Sequence, residues 1–367
     1  LKSNEYTYRF IFGAGGTGGH LFPALAVAQK IREIQPEAKI VFLGNRNKIE
    51  GRAVAANGFD FKPIIVSGFH RGEVLRNILF PFKLLIGMLQ SLAINMKFKP
   101  RVAIGSGAYV AGPVIWAASV MGAKIILLEQ NSYPGITNRL LERKATDIFT
   151  AFEETKKYFR FPEKVKKVGN PIRINIATIP KSEAKEKLGL SANAKVLLVI
   201  GGSLGARSLN EAVANNIEEL KKFGLTVLWQ TGRAYYENYK KFDSENVRVI
   251  DFIDDVAVYY SAADLVIARA GATTIAELAH VGVAAVLVPS PNVAENHQFK
   301  NAEELRKNGA VELIEDGELA EKFLPKVKEL IENESHLNEL KENIKKFASK
   351  DAAEIIARRA IELAEKV

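Results

Sequence analysis

The chain reads as an α/β protein made of two doubly wound parallel-sheet domains, and three observations predict this. Its 367 residues exceed what one hydrophobic core usually supports. Short runs rich in Val, Ile and Leu alternate with helical stretches along its whole length, as buried parallel strands joined by helical crossovers do. Both halves also open alike, with an apolar strand running into a glycine-rich turn and then a helix: Gly13-Ala14-Gly15-Gly16-Thr17-Gly18-Gly19 in the first, and Gly201-Gly202-Ser203-Leu204-Gly205-Ala206 in the second.

Taken in order, strands are predicted at 8–14, 39–43, 101–105 and 124–129 in the first half. In the second they are predicted at 195–202, 225–230, 247–250, 264–268 and 284–288. The seam is placed at Val168-Gly169-Asn170-Pro171, where proline restricts the residue before it and glycine loosens the one before that. From about 316 onward the pattern is almost wholly helical. Two such domains facing each other would enclose one cleft.

Composition narrows the chemistry. Apolar residues at 47% and charged residues at 25% are ordinary for a globular protein. The absence of cysteine excludes a disulfide framework, thiolate metal ligands and a cysteine nucleophile, and the five histidines show no metalloprotease spacing. The first residues do not form a signal-peptide pattern, and no apolar stretch reaches about 18 residues, so a cytosolic chain without a membrane span is expected. Fifty-one Lys and Arg against 42 Asp and Glu give a formal charge of +9, which draws the chain toward polyanions or anionic lipid. The basic residues are scattered through helices, not gathered with aromatics on a strand face, so no nucleic-acid partner is expected.

The most informative segment is Ile11 to His20, a strand ending in five glycines and a histidine, with Pro23 and a helix behind. Glycines let the backbone approach a ligand, and the amides and dipole of the following helix favour phosphate. The imidazole adds a group that changes charge near neutral pH, a candidate base beside whatever the loop holds. Gly13, Gly15 and Gly18 also satisfy GxGxxG, but the second strand ends Leu43-Gly44-Asn45-Arg46 with no acid for a ribose; Arg46 keeps an NADP reductase as the alternative. A further glycine-rich stretch, Gly105 to Pro113, follows the strand 101–105 at the edge where open α/β sheets bind ligands. Tyr109 within it either offers its hydroxyl to a substrate or packs over the loop. Glu129-Gln130-Asn131 follows the next strand, and Asn131 either faces the cleft or stabilises its turn.

In the second half, Arg269 to Glu277 leaves a strand, makes a small-residue turn and enters a helix. Thr273 and Thr274 can there join the helix N-terminus around a diphosphate. Glu277 lies about one turn in, where it accepts bonds from vicinal ribose hydroxyls or merely complements the helix dipole; beside Asn296-His297-Gln298 the sugar-nucleotide role is favoured. After Pro81, residues 82, 85, 86, 89, 92, 93 and 96 form an apolar helical stripe that is most simply core packing. Leu75, Ile78, Leu79 and Phe82, flanked by Arg71, Arg76 and Lys83, also suit an interfacial membrane contact.

Together these pieces resemble the MurG family, peripheral-membrane glycosyltransferases of bacterial peptidoglycan synthesis. The resemblance runs nearly the whole chain, through Gly15 to His20, the Tyr109 loop, Glu129-Gln130-Asn131, Gly169-Asn170-Pro171-Ile172-Arg173, Gly201-Gly202-Ser203, Phe252-Ile253-Asp254-Asp255, the Glu277 turn and His297-Gln298. Leu204 and Leu128 depart from letters common in the family. The resemblance implies a GT-B fold: two Rossmann-like domains facing across a cleft, 7–168 plus about 351–367 binding acceptor and membrane, and 169–350 binding UDP-GlcNAc. It implies inverting transfer of GlcNAc from UDP-GlcNAc to the C4 hydroxyl of the muramyl sugar of lipid I, without cofactor or metal. The place implied is the cytoplasmic face of the bacterial cell membrane, on its anionic inner leaflet.

Carried over by position, His20 is the base. Thr17, Gly18, Gly19, Asn131, Arg173, Ser203, Ile253, Ala272, Thr273, Thr274, Glu277 and Gln298 are donor-side residues. Gly15, Gly16, His20, Tyr109 and Asn131 are acceptor-side residues, and Leu75, Ile78, Leu79, Phe82, Leu85 and Ile86 form the membrane patch. A transferase with another acceptor and a non-catalytic binder of UDP-sugar or lipid phosphate are the alternatives.

Overall fold

The computed structural model describes residues 8–68, 77–172, 179–202, 205–349 and 351–366. Leu75, Arg173 and Ser203 therefore lie outside the described residues, as does Leu204. The chain divides into two compact units, Leu1–Arg173 with Asp351–Val367, and Ile174–Lys350.

The first unit holds a seven-stranded, all-parallel sheet: β1 (Arg9–Gly13), β2 (Lys39–Gly44), β3 (Asp60–Pro63), β4 (Val102–Gly105), β5 (Lys124–Glu129), β6 (Asp147–Thr150) and β7 (Val165–Lys167), in the order β3-β2-β1-β4-β5-β6-β7. The second holds six parallel strands: β8 (Lys195–Ile200), β9 (Leu225–Gln230), β10 (Val247–Ile250), β11 (Leu265–Arg269), β12 (Ala285–Val288) and β13 (Glu312–Leu313), in the order β10-β9-β8-β11-β12-β13. Each sheet starts in its middle, winds to one edge, then returns and winds to the other, which is the Rossmann-like order the alternating pattern predicts. The central strands are continuous apolar runs buried on both faces, such as Phe10-Ile11-Phe12 and Leu197-Leu198-Val199.

Sequence reading placed the central strands and missed β3, β6, β7 and β13. Three of these are sheet edges of two to four residues with polar content, Asp60-Phe61-Lys62-Pro63, Val165-Lys166-Lys167 and Glu312-Leu313, and so have no apolar run to detect. β6 is buried throughout, yet it carries Asp147, whose carboxylate is met by Lys166 (2.6 Å) and by Arg359 from the C-terminal helix (2.7 Å).

That C-terminal helix, Ala352–Glu365, belongs to the first unit. Ile356, Ala357, Ala360, Leu363 and Ala364 share one core with Leu21, Ala24, Leu25, Ala28 and Ile31 of the helix Gly18–Ile34. Alanines at the crossing let the two helices approach closely.

The helix Phe80–Phe98 corrects the core-packing reading of its apolar stripe. Its buried residues are Gly87, Ser91 and Asn95, one per turn, while Phe82 is 64% exposed and Leu85, Ile86, Leu89 and Met96 on the opposite side are exposed as well. The cause is close backbone packing: a Cβ on Gly87 would lie 2.6 Å from the Ile65 carbonyl oxygen, so only a small-residue face fits inward. Ile78 and Leu79, just before the helix, are exposed in the same way, and Ile65 adds to the apolar surface.

Candidate active site

Each sheet reverses direction beside its first strand, and ligands of open α/β sheets bind at the carboxyl ends of the strands at that reversal. In the first unit this point lies between β1 and β4, so the loops Ala14–Thr17 and Ser106–Gly107 flank it. In the second it lies between β8 and β11, flanked by Gly201-Gly202 and Ala270-Gly271. The glycine-rich turns of both halves thus stand where a ligand is expected.

His20 sits in the first turn of the helix Gly18–Ile34, half-buried. Its Nδ1 is 2.8 Å from the Ser106 carbonyl oxygen and 3.2 Å from Gln130 Oε1, both acceptors only. Nδ1 therefore carries the proton, and Nε2 keeps the lone pair a base requires. The orienting groups are themselves tied together: Ser106 Oγ donates to the His20 carbonyl (2.6 Å), and Gln130 Nε2 donates to Ser106 Oγ (2.8 Å). Gly107, at φ +74°, lies under the ring, where a Cβ would come within 3.1 Å of Nδ1 and Cε1. Burial pushes the imidazole pKa below its ordinary value, against the smaller opposing effects of the bonds to Ser106 and Gln130, so the ring is neutral at physiological pH. Ser106 and Gln130 were not among the sequence-predicted site residues; their signal was position alone, just after β4 and β5 at the carboxyl edge of the sheet.

The remaining first-unit candidates divide by what they touch. The helix behind the glycine loop starts at Thr17 without a side-chain cap and with no acid in its first turn, so its leading amides at Gly18 and Gly19 remain for a ligand. Gly16 differs, because its N–H donates to the Glu50 carboxylate (3.0 Å) and is not available to an anion. Tyr109 lies over the loop: a Cβ on Gly16 would be 3.1 Å from its ring, and one on Gly68 3.2 Å. Burial and then the Glu50 charge raise its phenol pKa, so the hydroxyl stays a donor.

Asn131 is bound to its own turn, with its N–H donating to Glu129 Oε1 (3.1 Å) and its side-chain amide close to the same oxygen (3.3 Å). Glu129 also accepts from Gly135 N (3.0 Å) and Asn138 Nδ2 (2.8 Å); burial pushes its pKa up while these donors pull it down. Leu128 contributes its carbonyl to Asn138 (2.9 Å), so that strand position acts through backbone whatever its side chain.

In the second unit the helix Ala272–Val281 starts at Gly271, again with no side-chain cap and no first-turn acid. Thr273 Oγ1 is buried with no hydrogen-bond partner among the described residues, a donor left for a ligand. Ala272 is buried at the helix start, and Thr274 is half-buried beside it. Glu277 is buried, with the Tyr260 hydroxyl at 3.5 Å. Gln298 accepts from Ser290 N (2.9 Å) and so latches the turn after β12. Ile253 is half-buried in the loop after β10. Gln230, missed in the sequence, donates to the carbonyls of Gly202 (3.1 Å) and Asp251 (3.3 Å), tying the glycine turn to the loop that carries Ile253.

Comparison with known proteins finds relatives along nearly the whole chain. The model of the glycosyltransferase family 28 N-terminal domain matches residues 10–150, and that of the family's C-terminal domain matches 196–356. The UDP-N-acetylglucosamine–N-acetylmuramyl-(pentapeptide) pyrophosphoryl-undecaprenol N-acetylglucosamine transferase of Flavobacterium psychrophilum is 40% identical over 362 residues, covering 98% of each chain. That of Phocaeicola vulgatus is 40% identical, over 99% of this chain and 98% of its own. Among solved structures, MurG of Acinetobacter baumannii superposes with a TM-score of 0.76 at 29% identity, covering 98% of this chain and 99% of that one. A UDP-GlcNAc 2-epimerase from Neisseria meningitidis, bound to UDP-GlcNAc, shares the fold alone, with a TM-score of 0.66 at 15% identity over 96% of this chain and 99% of its own. Two Rossmann-like units with these relatives make the fold GT-B, and the chain belongs to the MurG family of N-acetylglucosamine transferases within glycosyltransferase family 28.

Proposed function

We propose that this chain transfers N-acetylglucosamine from UDP-GlcNAc to the C4 hydroxyl of the muramyl sugar of lipid I, giving lipid II with inversion. The observation that carries the mechanism is the tautomer of His20, with Nδ1–H held by Ser106 and Gln130 and the lone pair left on Nε2. In a single displacement Nε2 takes the C4 hydroxyl proton as that oxygen attacks the anomeric carbon. The bond from that carbon to the diphosphate oxygen breaks, and UDP leaves with the electron pair. Gly15, Gly16, Tyr109 and Asn131 form the acceptor side, with Thr17, Gly18 and Gly19 meeting the transferred sugar.

The UDP charge is met by the open N-terminus of the helix Ala272–Val281 with Thr273 and Thr274, by Ser203, and by Arg173. Glu277 holds the ribose, the Ile253 backbone reads the uracil, and Gln298 touches the donor. No step draws on a metal or cofactor.

The outward apolar face from Ile78 to Leu89 seats the first unit on the anionic inner leaflet at the cytoplasmic face of the cell membrane. Burying the exposed halves of five such side chains contributes on the order of 5 kcal/mol, enough for reversible attachment. Among the described residues no helix is long and apolar enough to cross a membrane.

The test is UDP release from UDP-GlcNAc with and without a short-chain lipid I analogue, in EDTA. Acceptor-dependent release that survives EDTA is expected. His20→Ala should lower turnover about 100-fold or more while UDP affinity is retained. Binding of UDP-GlcNAc without release would instead favour a non-catalytic sugar-nucleotide binder.

A further inference from the structure

The glycine loop that reads as an anion cradle has a carboxylate built beneath it. Glu50 is fully buried in the first turn of the helix Ile49–Ala56. Its Oε2 accepts from Gly16 N (3.0 Å), and its Oε1 accepts from Asn45 N at the end of β2 (3.0 Å). Two glycines exist to admit it: a Cβ on Gly15 would lie 2.4 Å from the carboxyl carbon, and one on Gly44 2.6 Å from Glu50 Cγ. Two backbone donors and the positive end of its own helix offset the cost of burying this charge, and no cation pairs with it among the described residues. A group so placed joins the loops after β1 and β2, reaching Gly16 across 34 residues of sequence. Tyr109 lies on the other side of Gly16, so the loop is clamped between a carboxylate and a phenol ring.

We propose that Glu50 is a positioning residue for the acceptor. By engaging the Gly16 N–H it fixes the backbone of Gly15, Gly16 and Thr17 and removes that amide from competition for phosphate. The glycine loop then presents the acceptor to His20 instead of acting as a general anion nest. The inference rests on the reading of this loop as the acceptor side. Glu50's charge also bears on the Tyr109 phenol, which supplies an independent readout.

The experiment compares Glu50→Gln, Glu50→Asp and Tyr109→Phe in the full-length protein, with the short-chain lipid I analogue and UDP-GlcNAc varied separately. Glu50→Gln should lower kcat/KM for the acceptor about 10- to 100-fold and leave the UDP-GlcNAc KM within about twofold. Glu50→Asp, which keeps the charge, should fall between it and the parent. Ultraviolet titration of Glu50→Gln against Glu50→Gln/Tyr109→Phe should show the Tyr109 phenol ionising at lower pH than in the parent protein.

An unchanged acceptor kcat/KM in Glu50→Gln, with Tyr109→Phe impaired, would overturn the proposal and leave the loop reading standing. If neither substitution touched acceptor kinetics, the loop reading itself would fall. A loss of Tm with both substrates affected in proportion would make Glu50 a scaffold residue only and also overturn it. Should Glu50→Gln not fold, Glu50→Asp carries the same kinetic split, and equal loss toward both substrates there counts against the proposal.

Discussion

At the scale of single residues, the proposed mechanism depends on which nitrogen of one imidazole holds a proton. His20 acts as a base only when neutral, and burial places its pKa below the ordinary value. The acidic limb of kcat/KM should therefore lie below about pH 6.5, and an acidic limb at or above that value in a pH–rate profile would contradict the assignment. Linkage follows the same sign. A folded-state pKa below the unfolded one means the unfolded chain binds the proton more readily, so this contribution to stability is present above about pH 6.5 and is lost as pH falls toward the folded value. Gln130→Leu removes one acceptor at Nδ1 and the donor to Ser106 Oγ. It should reduce kcat about tenfold or more, with the UDP-GlcNAc KM retained, in steady-state kinetics. His20 could be read from its place behind five glycines. Ser106, Gln130 and Glu50 could not be given their roles, because their bonds span 86, 110 and 34 residues and no local pattern records such partners.

At the scale of elements, the helix Phe80–Phe98 separates what periodicity can and cannot say. Its apolar stripe is plain in the sequence, yet the side that faces inward is the one with Gly87, Ser91 and Asn95. A period identifies a face and not its environment, and here the close approach of the Ile65 backbone decided it. Two outcomes follow. Phe82→Asp with Ile86→Asp should abolish sedimentation with anionic vesicles and leave Tm almost unchanged, because both side chains are already exposed. Gly87→Leu should destabilise the first unit by about 1–3 kcal/mol in denaturant unfolding, since the added side chain meets backbone.

At the scale of the whole molecule, the chain makes two sheets of the same winding, and its last helix completes the first of them. Arg359, more than two hundred residues beyond Asp147, satisfies that buried carboxylate together with Lys166. Arg359→Met leaves Asp147 with the half-exposed Lys166 alone, and should lower the stability of the first unit by about 1–3 kcal/mol. Differential scanning calorimetry checks this: the transition of the first unit should move down while that of the second stays.

The doubly wound α/β class, the central strands of both sheets and the glycine-rich turns at their reversal points were legible in the amino-acid sequence. Those features rest on local chemistry: apolar runs long enough to be buried on both faces, and glycines where strands enter helices. Only the tertiary structure decided the proton on Nδ1 of His20, the carboxylate under Gly16, the outward face of the helix Phe80–Phe98 and the seat of Ala352–Glu365. Each depends on atoms brought together from distant parts of the chain, where burial and hydrogen-bond satisfaction, not periodicity, choose the partner.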